Sequence, residues 1–163
     1  MTNVAELDWL PYVQPSSGTR PTAIAISFPL PPDTVSGKSN AAREPRLFAL
    51  HDQLNRIAAL PTNWDGRRSA RPERATVEHA RQFLDETFRQ TVNTVGWLNP
   101  YLSVSEDGEI VFEWWNGIRK LTVYVGQNRC TYVKSWGPHL LNDMDDGELP
   151  DNWISSLWTW LVE

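Results

Sequence analysis

The hydrophobic residues in the first half of this chain recur at helical spacing. From Pro45 onward they fall three and four positions apart, on one face of a helix that we predict over roughly residues 45–60: Leu47, Leu50, Leu54, Ile57 and Leu60. A second helix is predicted from Pro72 to about Val92, because proline suits a first turn and an apolar stripe follows: Val77, Ala80, Phe83, Leu84 and Phe88. Two such helices joined by a short connection form a helical hairpin.

Past Gly96 the spacing of the hydrophobic residues changes to two, which is typical of strands. The dipeptides Asp107-Gly108 and Asn116-Gly117 favour tight hairpin turns and bracket a central strand. The pattern predicts four strands, over residues 101–105, 109–115, 118–125 and 129–136. Strands joined by short turns form an antiparallel meander, and we expect the helices to cover one of its faces.

The end of the chain is predicted to form an acidic loop and a short helix. Residues 137–150 contain four carboxylates and no Lys or Arg. Asp151 or Asn152 can cap a last helix, which carries large apolar residues on one stripe: Trp153, Ile154, Leu157, Trp158 and Leu161. The pattern therefore predicts an α+β fold, with a helical hairpin packed on a four-stranded antiparallel β-meander and a C-terminal helix.

The first 42 residues differ in composition from the rest of the chain. They hold six of the twelve prolines, and the Ser/Gly-rich piece at 36–40 is typical of a linker. We expect a proline-rich N-terminal arm over residues 1–42 and a single α+β domain over residues 43–163. Within the arm, Ile24, Ile26 and Phe28 alternate with small residues, which predicts a short strand that pairs with an edge of the main sheet.

The formal net charge is −5, and the negative charge is concentrated in the last third of the chain. Residues 43–99 carry a net +2, whereas residues 100–163 carry −6, and no Lys or Arg follows Lys134. This asymmetry argues against nucleic acid as a partner and favours a partner protein with a basic surface. The alternative is an acidic end that is only solvated.

The chain has one cysteine, Cys130, which excludes an internal disulfide and by itself makes no metal site. The N-terminal residues lack the basic region and apolar run of a signal peptide. No apolar stretch approaches the ~18 residues of a membrane-spanning helix. We therefore expect a cytoplasmic protein that makes no membrane contact.

No catalytic constellation is recognisable in the sequence. His51 and His79 fall on helix surfaces, His139 in a loop and Cys130 in a strand, and no spacing ties them together. We expect no catalytic residue, no metal site and no cofactor. Four arginines cluster at the start of the second helix, where they either oppose the helix dipole or await an anion: Arg67, Arg68, Arg71 and Arg74.

Nine tryptophans in 163 residues are the strongest binding signal. Four are interpreted as core or core-edge residues: Trp64, Trp97, Trp114 and Trp136. Trp115, on the opposite strand face, and Trp160, off the helix stripe, are candidate exposed residues of a partner-binding surface. The acidic candidates for the same surface are Asp143, Asp145, Asp146 and Glu148. The alternative for Trp115 is that the N-terminal arm covers it.

The stretch between the two predicted helices is expected to form a structural corner. Pro61 cannot continue a helix, Asn63 and Asp65 favour turns that bond side chain to backbone, and Gly66 permits a positive φ. Trp64 is expected to fold back between the helices as a plug.

The run from Leu60 to Gly66, followed by Ala70 and Pro72, resembles the LPxNWDGxGAxxP signature of a widespread group of small uncharacterised bacterial and phage proteins. The likeness extends over about residues 47–136, through the Asp107-Gly108 turn. It implies no assigned activity. Proteins of this group resemble accessory cargo of mobile elements, sometimes encoded beside toxin genes. Where the signature has its second glycine, this chain has Arg68 or Ser69, depending on the alignment.

These observations predict a non-enzymatic protein-binding or regulatory protein, in the concrete form of an antitoxin-like protein or a phage-encoded inhibitor of a host or defence protein. The alternative is a small-ligand binder or enzyme with a Trp-lined cleft near Trp64, Trp114 and Asp65. A closed pocket with a carboxylate of raised pKa favours the alternative, whereas a flat aromatic patch favours protein binding.

Overall fold

The computed structural model describes residues 44–92, 96–139 and 142–163. The predicted N-terminal arm, with its strand around Ile24 to Phe28, lies outside the described residues. In chain order the elements are α1 (Glu44–Ala58), α2 (Arg74–Thr91), β1 (Tyr101–Val104), β2 (Ile110–Asn116), β3 (Arg119–Val125), β4 (Cys130–Ser135), β5 (Met144–Glu148), a π-helical segment (Ile154–Trp158) and α3 (Thr159–Val162). None of the helices in these stretches has the length and apolar composition needed to cross a lipid bilayer.

The five strands form one antiparallel sheet in the order β1-β2-β3-β4-β5. Each strand pairs with the next along the chain, and the register places Phe112 opposite Leu102 on β1 and opposite Val123 on β3. Gly108 and Gly117 adopt φ angles of 81° and 61° in the turns that flank β2, a conformation that glycine adopts without steric cost. The α+β class and the antiparallel meander are confirmed, whereas the predicted number of strands is wrong.

The fifth strand corrects the prediction of an acidic loop over residues 137–150. Met144–Glu148 pairs antiparallel with β4, and the Trp136 N–H donates to the Asp143 carbonyl at 2.9 Å where the pairing begins. Aspartate and glycine are depleted in strands, so the residue types of this segment predict a loop. Backbone pairing with β4 and the ion pair between Lys134 and Asp145 stabilise a strand there instead.

The helices pack on one face of the sheet. Alternate residues of β1, β2 and β3 point to that face and are buried: Leu102, Val104, Ile110, Phe112, Trp114, Leu121, Val123 and Val125. The two long helices contribute the inner members of their predicted stripes: Leu50, Leu54, Ile57, Val77, Ala80 and Leu84. The core therefore lies between this face of the sheet and the helices.

Trp114 lies at the centre of an aromatic cluster within this core. The side chain is fully buried, and its indole N–H donates to the Leu98 carbonyl at 3.1 Å. Four aromatic rings surround it at centroid distances of 5.5 to 6.4 Å: Phe83, Phe112, Trp153 and Trp158. These rings come from α2, from β2 and from residues 153–162, which we call the C-terminal helical region. The cluster therefore joins three parts of the fold.

The C-terminal helical region is held by polar groups from the β2–β3 hairpin. The Asn116 side-chain amide donates to the Leu161 carbonyl at 2.9 Å, and the Arg119 guanidinium donates to the Trp160 carbonyl. Both carbonyls belong to the last turn of the helix, where no further helical N–H groups are available as donors. Among the described residues no side chain caps the start of the π-helical segment, where Trp153 takes the cap position in place of the predicted Asp151 or Asn152.

Candidate functional site

The corner between α1 and α2 closes on itself through hydrogen bonds. The Asn63 N–H donates to the Ser69 carbonyl at 3.1 Å, and the Gly66 N–H donates to the Asn63 carbonyl at 3.0 Å. The Asn63 side-chain oxygen accepts the Arg68 N–H at 2.6 Å. Asn63 and Gly66 adopt φ angles of 61° and 73°, which asparagine and glycine tolerate better than other residues. The local geometry thus explains both residue types.

The Asp65 carboxylate accepts three hydrogen bonds within the corner. The Ser69 hydroxyl donates at 2.7 Å, and the Arg67 and Ser69 N–H groups donate at 2.9 and 3.4 Å. The Ser69 hydroxyl, and after it these N–H groups, hold the pKa of Asp65 below its usual range because they stabilise the charged form. The Asp65 carboxylate thus holds the corner closed through its bonds to Arg67 and Ser69.

Trp64 ties the corner to the core. It is half-buried and packs at the core edge, and its indole N–H donates to the Ala70 carbonyl at 3.2 Å. The Ala70 N–H in turn donates to the Glu106 carbonyl at 2.8 Å. The corner is thus docked on the β1–β2 turn, and the residues of the sequence signature serve the fold.

We expect the Ser69→Ala substitution to raise the pKa of Asp65, because it removes the hydroxyl that stabilises the carboxylate. A pKa lowered in the folded state stabilises the fold above the unfolded-state value of 3.8, and this contribution is lost as the pH falls through the folded-state pKa. An NMR titration of the Asp65 carboxyl carbon measures the shift, with Ser69→Thr as the control that keeps a hydroxyl. The same pKa in the wild-type and alanine proteins would contradict this assignment.

Arg68 is held at a φ of 69°, in the left-handed region. This conformation costs an L side chain about 1–2 kcal/mol relative to glycine. We expect Arg68→Gly to stabilise the fold by about 0.5–1 kcal/mol, because relief of strain exceeds the entropy that glycine adds to the unfolded chain. Urea unfolding measures the change. Arg67→Gly, at a neighbour without positive φ, is the control and should not raise the urea midpoint. A urea midpoint for Arg68→Gly below that of the wild-type protein would refute the expectation.

Two large apolar side chains are exposed at the end of the β2–β3 hairpin. Trp115 keeps 59% of its surface exposed and Ile118 keeps 78%, one on each side of the Asn116-Gly117 turn. Trp115 lies on the face opposite the core, because successive strand residues point to opposite faces. The Lys120 ammonium lies 4.7 Å from the Trp115 ring centroid, in a cation–π contact.

Trp136 and Trp160 form an aromatic pair beside this hairpin end. Their ring centroids are 6.1 Å apart in an edge-to-face arrangement. They line a groove of about 330 Å³ together with Ile118, Arg119 and Lys134. Trp160 is half-buried, because its ring also packs at the core edge. We call Trp115, Ile118, Trp136 and Trp160 the aromatic tip.

Two of the four acidic candidate residues are already engaged within the protein. Asp143 lies in the turn before β5, where its carboxylate accepts the His139 N–H at 3.0 Å. Asp145 forms an ion pair with Lys134 at 3.1 Å, and the Lys134 ammonium holds the pKa of Asp145 below its usual range. Asp143 thus stabilises the turn before β5, and Asp145 stabilises the pairing of β4 with β5.

The other two acidic candidates lie on an open edge of the sheet. Asp146 and Glu148 are exposed on β5, and neither forms an ion pair with a described residue. In an antiparallel ladder every second residue directs its N–H and C=O away from the neighbouring strand. Asp143 directs its carbonyl toward β4, where it accepts the Trp136 N–H. Met144, Asp146 and Glu148 therefore direct their N–H and C=O groups away from β4. We call these three residues with their outward backbone groups the acidic edge.

Lys134 lies between β5 and the Trp136–Trp160 pair. Its ammonium pairs with Asp145 on β5 and lies 5.6 Å from the Trp160 ring centroid and 5.9 Å from the Trp136 ring centroid. The positive charge of Lys134 is therefore shared between a carboxylate and two aromatic faces. Asp145 and the Trp136–Trp160 pair thus lie together around Lys134, whereas Asp146 and Glu148 alternate with Asp145 along β5.

The structure brings His79 and Cys130 together, which no spacing along the chain predicts. His79 Nδ1 lies 2.8 Å from the Gly126 carbonyl, and Nε2 lies 3.7 Å from Cys130 Sγ. Burial, and after it the charge of Glu109, raises the pKa of the Cys130 thiol to about 11. The thiol stays protonated at neutral pH and is not an activated nucleophile. The two residues meet only because α2 packs on the sheet.

The histidines are also separated from one another. His51 Nε2 lies 2.8 Å from an oxygen of Asp85, on the neighbouring helix α2, and His139 lies in an exposed turn. Over the described ranges, no three His, Cys, Asp or Glu side chains are grouped so that they could hold a metal ion.

A Trp-lined cleft near Trp64, Trp114 and Asp65 has no counterpart among the described residues. Trp114 is fully buried, Trp64 is half-buried with its N–H bonded, and the pKa of Asp65 is lowered. The described surface has grooves elsewhere, beside α2 and beside the aromatic tip. At these three residues the geometry therefore provides neither a closed pocket nor a carboxylate of raised pKa.

The functional inference therefore rests on the aromatic tip and the acidic edge. The tip offers exposed apolar area, and the edge offers negative charge beside backbone groups that do not bond to β4. Comparison of the chain with protein-family models, with curated proteins and with solved structures gives no match in any of the three.

Proposed function

We propose that this chain is a non-enzymatic protein-binding protein whose partner docks on the aromatic tip and the acidic edge. The exposure of Trp115 and Ile118, at 59% and 78%, carries this proposal. Exposed tryptophan is enriched among the few residues that dominate binding energy. Neighbouring apolar side chains left in water form the kind of patch that a partner covers, because each buried Å² contributes roughly 25 cal/mol.

The acidic edge indicates the charge of the partner. Asp146 and Glu148 point to solvent, and the last third of the chain carries a net charge of −6. A partner with a basic surface gains association rate and correct orientation from this charge. The likeness to the group of bacterial and phage proteins supports a concrete form: an antitoxin-like protein, or an inhibitor of a host or defence protein, acting in the cytoplasm of a prokaryote.

Paired variants test the aromatic tip. We expect the wild-type protein, used as bait in a lysate of its source organism, to retain a partner that the double variant Trp115→Ala, Ile118→Ala loses. Phe48→Ala is the matched control, because Phe48 is also a large exposed apolar residue, at 75%, but lies on α1. With the purified partner, the tip variant should raise Kd about tenfold or more. Equal retention by the tip variant, or no retained partner, would overturn the proposal.

The acidic edge is tested by charge reversal. We expect Asp146→Lys with Glu148→Lys to slow association with the purified partner by about tenfold at low salt, and by less at high salt, because screening shortens the reach of surface charge. Stopped-flow measurements at several salt concentrations give the rates. Asp146→Asn with Glu148→Gln, which removes the charge without reversing it, should fall between. Association rates that do not depend on salt would show that the partner does not present a basic surface to Asp146 and Glu148.

A further inference from the structure

Apart from the aromatic tip, the described surface has a groove lined by three arginines. It is formed between the end of α1 and the start of α2 and has a volume of about 650 Å³. Sites for small ligands typically have 300–1,000 Å³. Arg71, Arg74 and Arg81 line the groove. We call it the arginine groove.

The three arginines of the groove outnumber the two carboxylates that line it, Glu73 and Glu78, and none of the three forms an ion pair within the described residues. The side chains of Arg71 and Arg74 form neither an ion pair nor a hydrogen bond there. Arg81 donates to the neutral Asn55 side-chain oxygen, and its Nε is buried without a hydrogen-bond partner in the same part of the chain. A buried N–H without an acceptor is destabilising, and an anion in the groove would supply the acceptor after a small movement of the Arg81 side chain.

Helix α2 begins at the groove with an open N-terminus. Glu73 at the cap position forms no side-chain cap, and the first turn contains no acidic residue. The first backbone hydrogen bond of the helix runs from the Val77 N–H to the Glu73 carbonyl at 3.1 Å. The N–H groups of Arg74, Ala75 and Thr76 are therefore without an acceptor in the described residues. Such groups, together with the helix dipole, favour an anion.

We propose that the arginine groove binds the phosphate group of a small phosphate monoester. The phosphate accepts hydrogen bonds from the open N-terminus of α2 and from the guanidinium groups of Arg71 and Arg74, while Arg81 Nε gains an acceptor. Glu73 and Glu78 also line the groove and repel additional negative charge, so a ligand with one phosphate fits better than a polyphosphate or a polynucleotide.

The remaining wall of the groove indicates the rest of the ligand. Ala58 is exposed beside the three arginines, and Pro72 and Val77 form a largely buried apolar floor. A sugar or ring attached to the phosphate would pack on this surface, and its hydroxyl or amino groups would donate to Glu73 or Glu78. Inorganic phosphate lacks these parts, so it should bind the same groove more weakly than a nucleoside monophosphate.

An NMR titration of the full-length ¹⁵N-labelled protein at constant ionic strength tests the proposal, with adenosine monophosphate, inorganic phosphate and adenosine as probes. We expect saturable shifts of the Arg74, Ala75 and Thr76 amides and of the Arg81 Nε–H with the monophosphate. Inorganic phosphate should shift the same amides at higher concentration, and adenosine should not shift them. Arg71→Gln with Arg74→Gln should weaken binding about tenfold or more.

Two further variants separate the groove from general charge effects. Arg67→Gln with Arg129→Gln removes the same charge from residues that do not line the arginine groove, and should leave the affinity within about twofold. Glu78→Gln should tighten binding about two- to threefold, a gain that a misfolded variant would not show. Equal loss in both arginine pairs, no saturable shift, or tighter binding of a 12-base-pair DNA duplex than of the monophosphate would overturn the proposal.

Discussion

Replacement of Trp114 by alanine is expected to lower the free energy of unfolding by about 3–5 kcal/mol. The side chain is fully buried among four aromatic rings, and its loss would leave a cavity between β2, α2 and the C-terminal helical region. It would also remove the indole N–H that the Leu98 carbonyl accepts. A loss of this size is a large fraction of the 5–15 kcal/mol that stabilises a typical domain.

The neighbouring residue is the matched control for this prediction. Trp115→Ala removes the same side chain from the same strand, but from a position that is 59% exposed, and should change stability by less than about 0.5 kcal/mol. Urea unfolding followed by far-UV circular dichroism suits both variants, because each loses a fluorophore. Similar losses of unfolding free energy in the two variants would contradict the assignment of Trp114 to the core face of β2 and of Trp115 to the exposed face.

Replacement of Gly108 by alanine is expected to cost about 2–4 kcal/mol, the second-largest effect. Gly108 adopts a φ of 81°, and a Cβ there would lie 2.9 Å from the Arg71 carbonyl oxygen. The contact is with backbone, so the clash cannot be relieved by rotation of a side chain. Either the β1–β2 turn or the corner before α2 must move, and the hydrogen bond from the Ala70 N–H to the Glu106 carbonyl would weaken.

Gly117→Ala separates the steric clash from the cost of positive φ. Gly117 adopts a φ of 61°, and a Cβ there would have no neighbour within 4 Å. Its replacement should therefore cost only about 1 kcal/mol, from the left-handed conformation alone. Urea unfolding of both alanine variants gives the comparison. Equal losses of unfolding free energy at the two glycines would show that a clash with the Arg71 carbonyl adds nothing at Gly108.

The sequence predicts those parts of the fold that depend on neighbours along the chain. The helical spacing of Leu50, Leu54 and Ile57 places these residues in the core, where the structure has them. The Asn116-Gly117 dipeptide predicts the turn between β2 and β3, which the structure also shows. Periodicity and turn chemistry act within a few residues, so a single sequence is sufficient to identify them.

Other parts depend on contacts between distant segments. The fifth strand lies in a segment whose aspartates and glycine favour a loop, and it forms because β4 offers a backbone ladder and Lys134 offers a charge. The approach of His79 to Cys130 spans 51 positions and follows from the packing of α2. The arginine cluster before α2 is visible in the sequence, and Arg81 follows Arg74 by two turns on the same face of α2, but the groove itself forms because α1 and α2 pack together. Trp160 is likewise half-buried because it packs at the core edge and contacts Trp136.

The pairing of β2 with β3 decides which of two adjacent tryptophans is exposed. Trp114 lies opposite Leu121, and Trp115 lies opposite Lys120. A slip of one residue in this pairing would exchange the faces of the two tryptophans, because side chains alternate strictly along a strand. An insertion in the Asn116-Gly117 turn could therefore turn the exposed Trp115 inward and the buried Trp114 outward without changing either side chain. If Trp115 binds the proposed partner, the length of that turn sets recognition as well as stability.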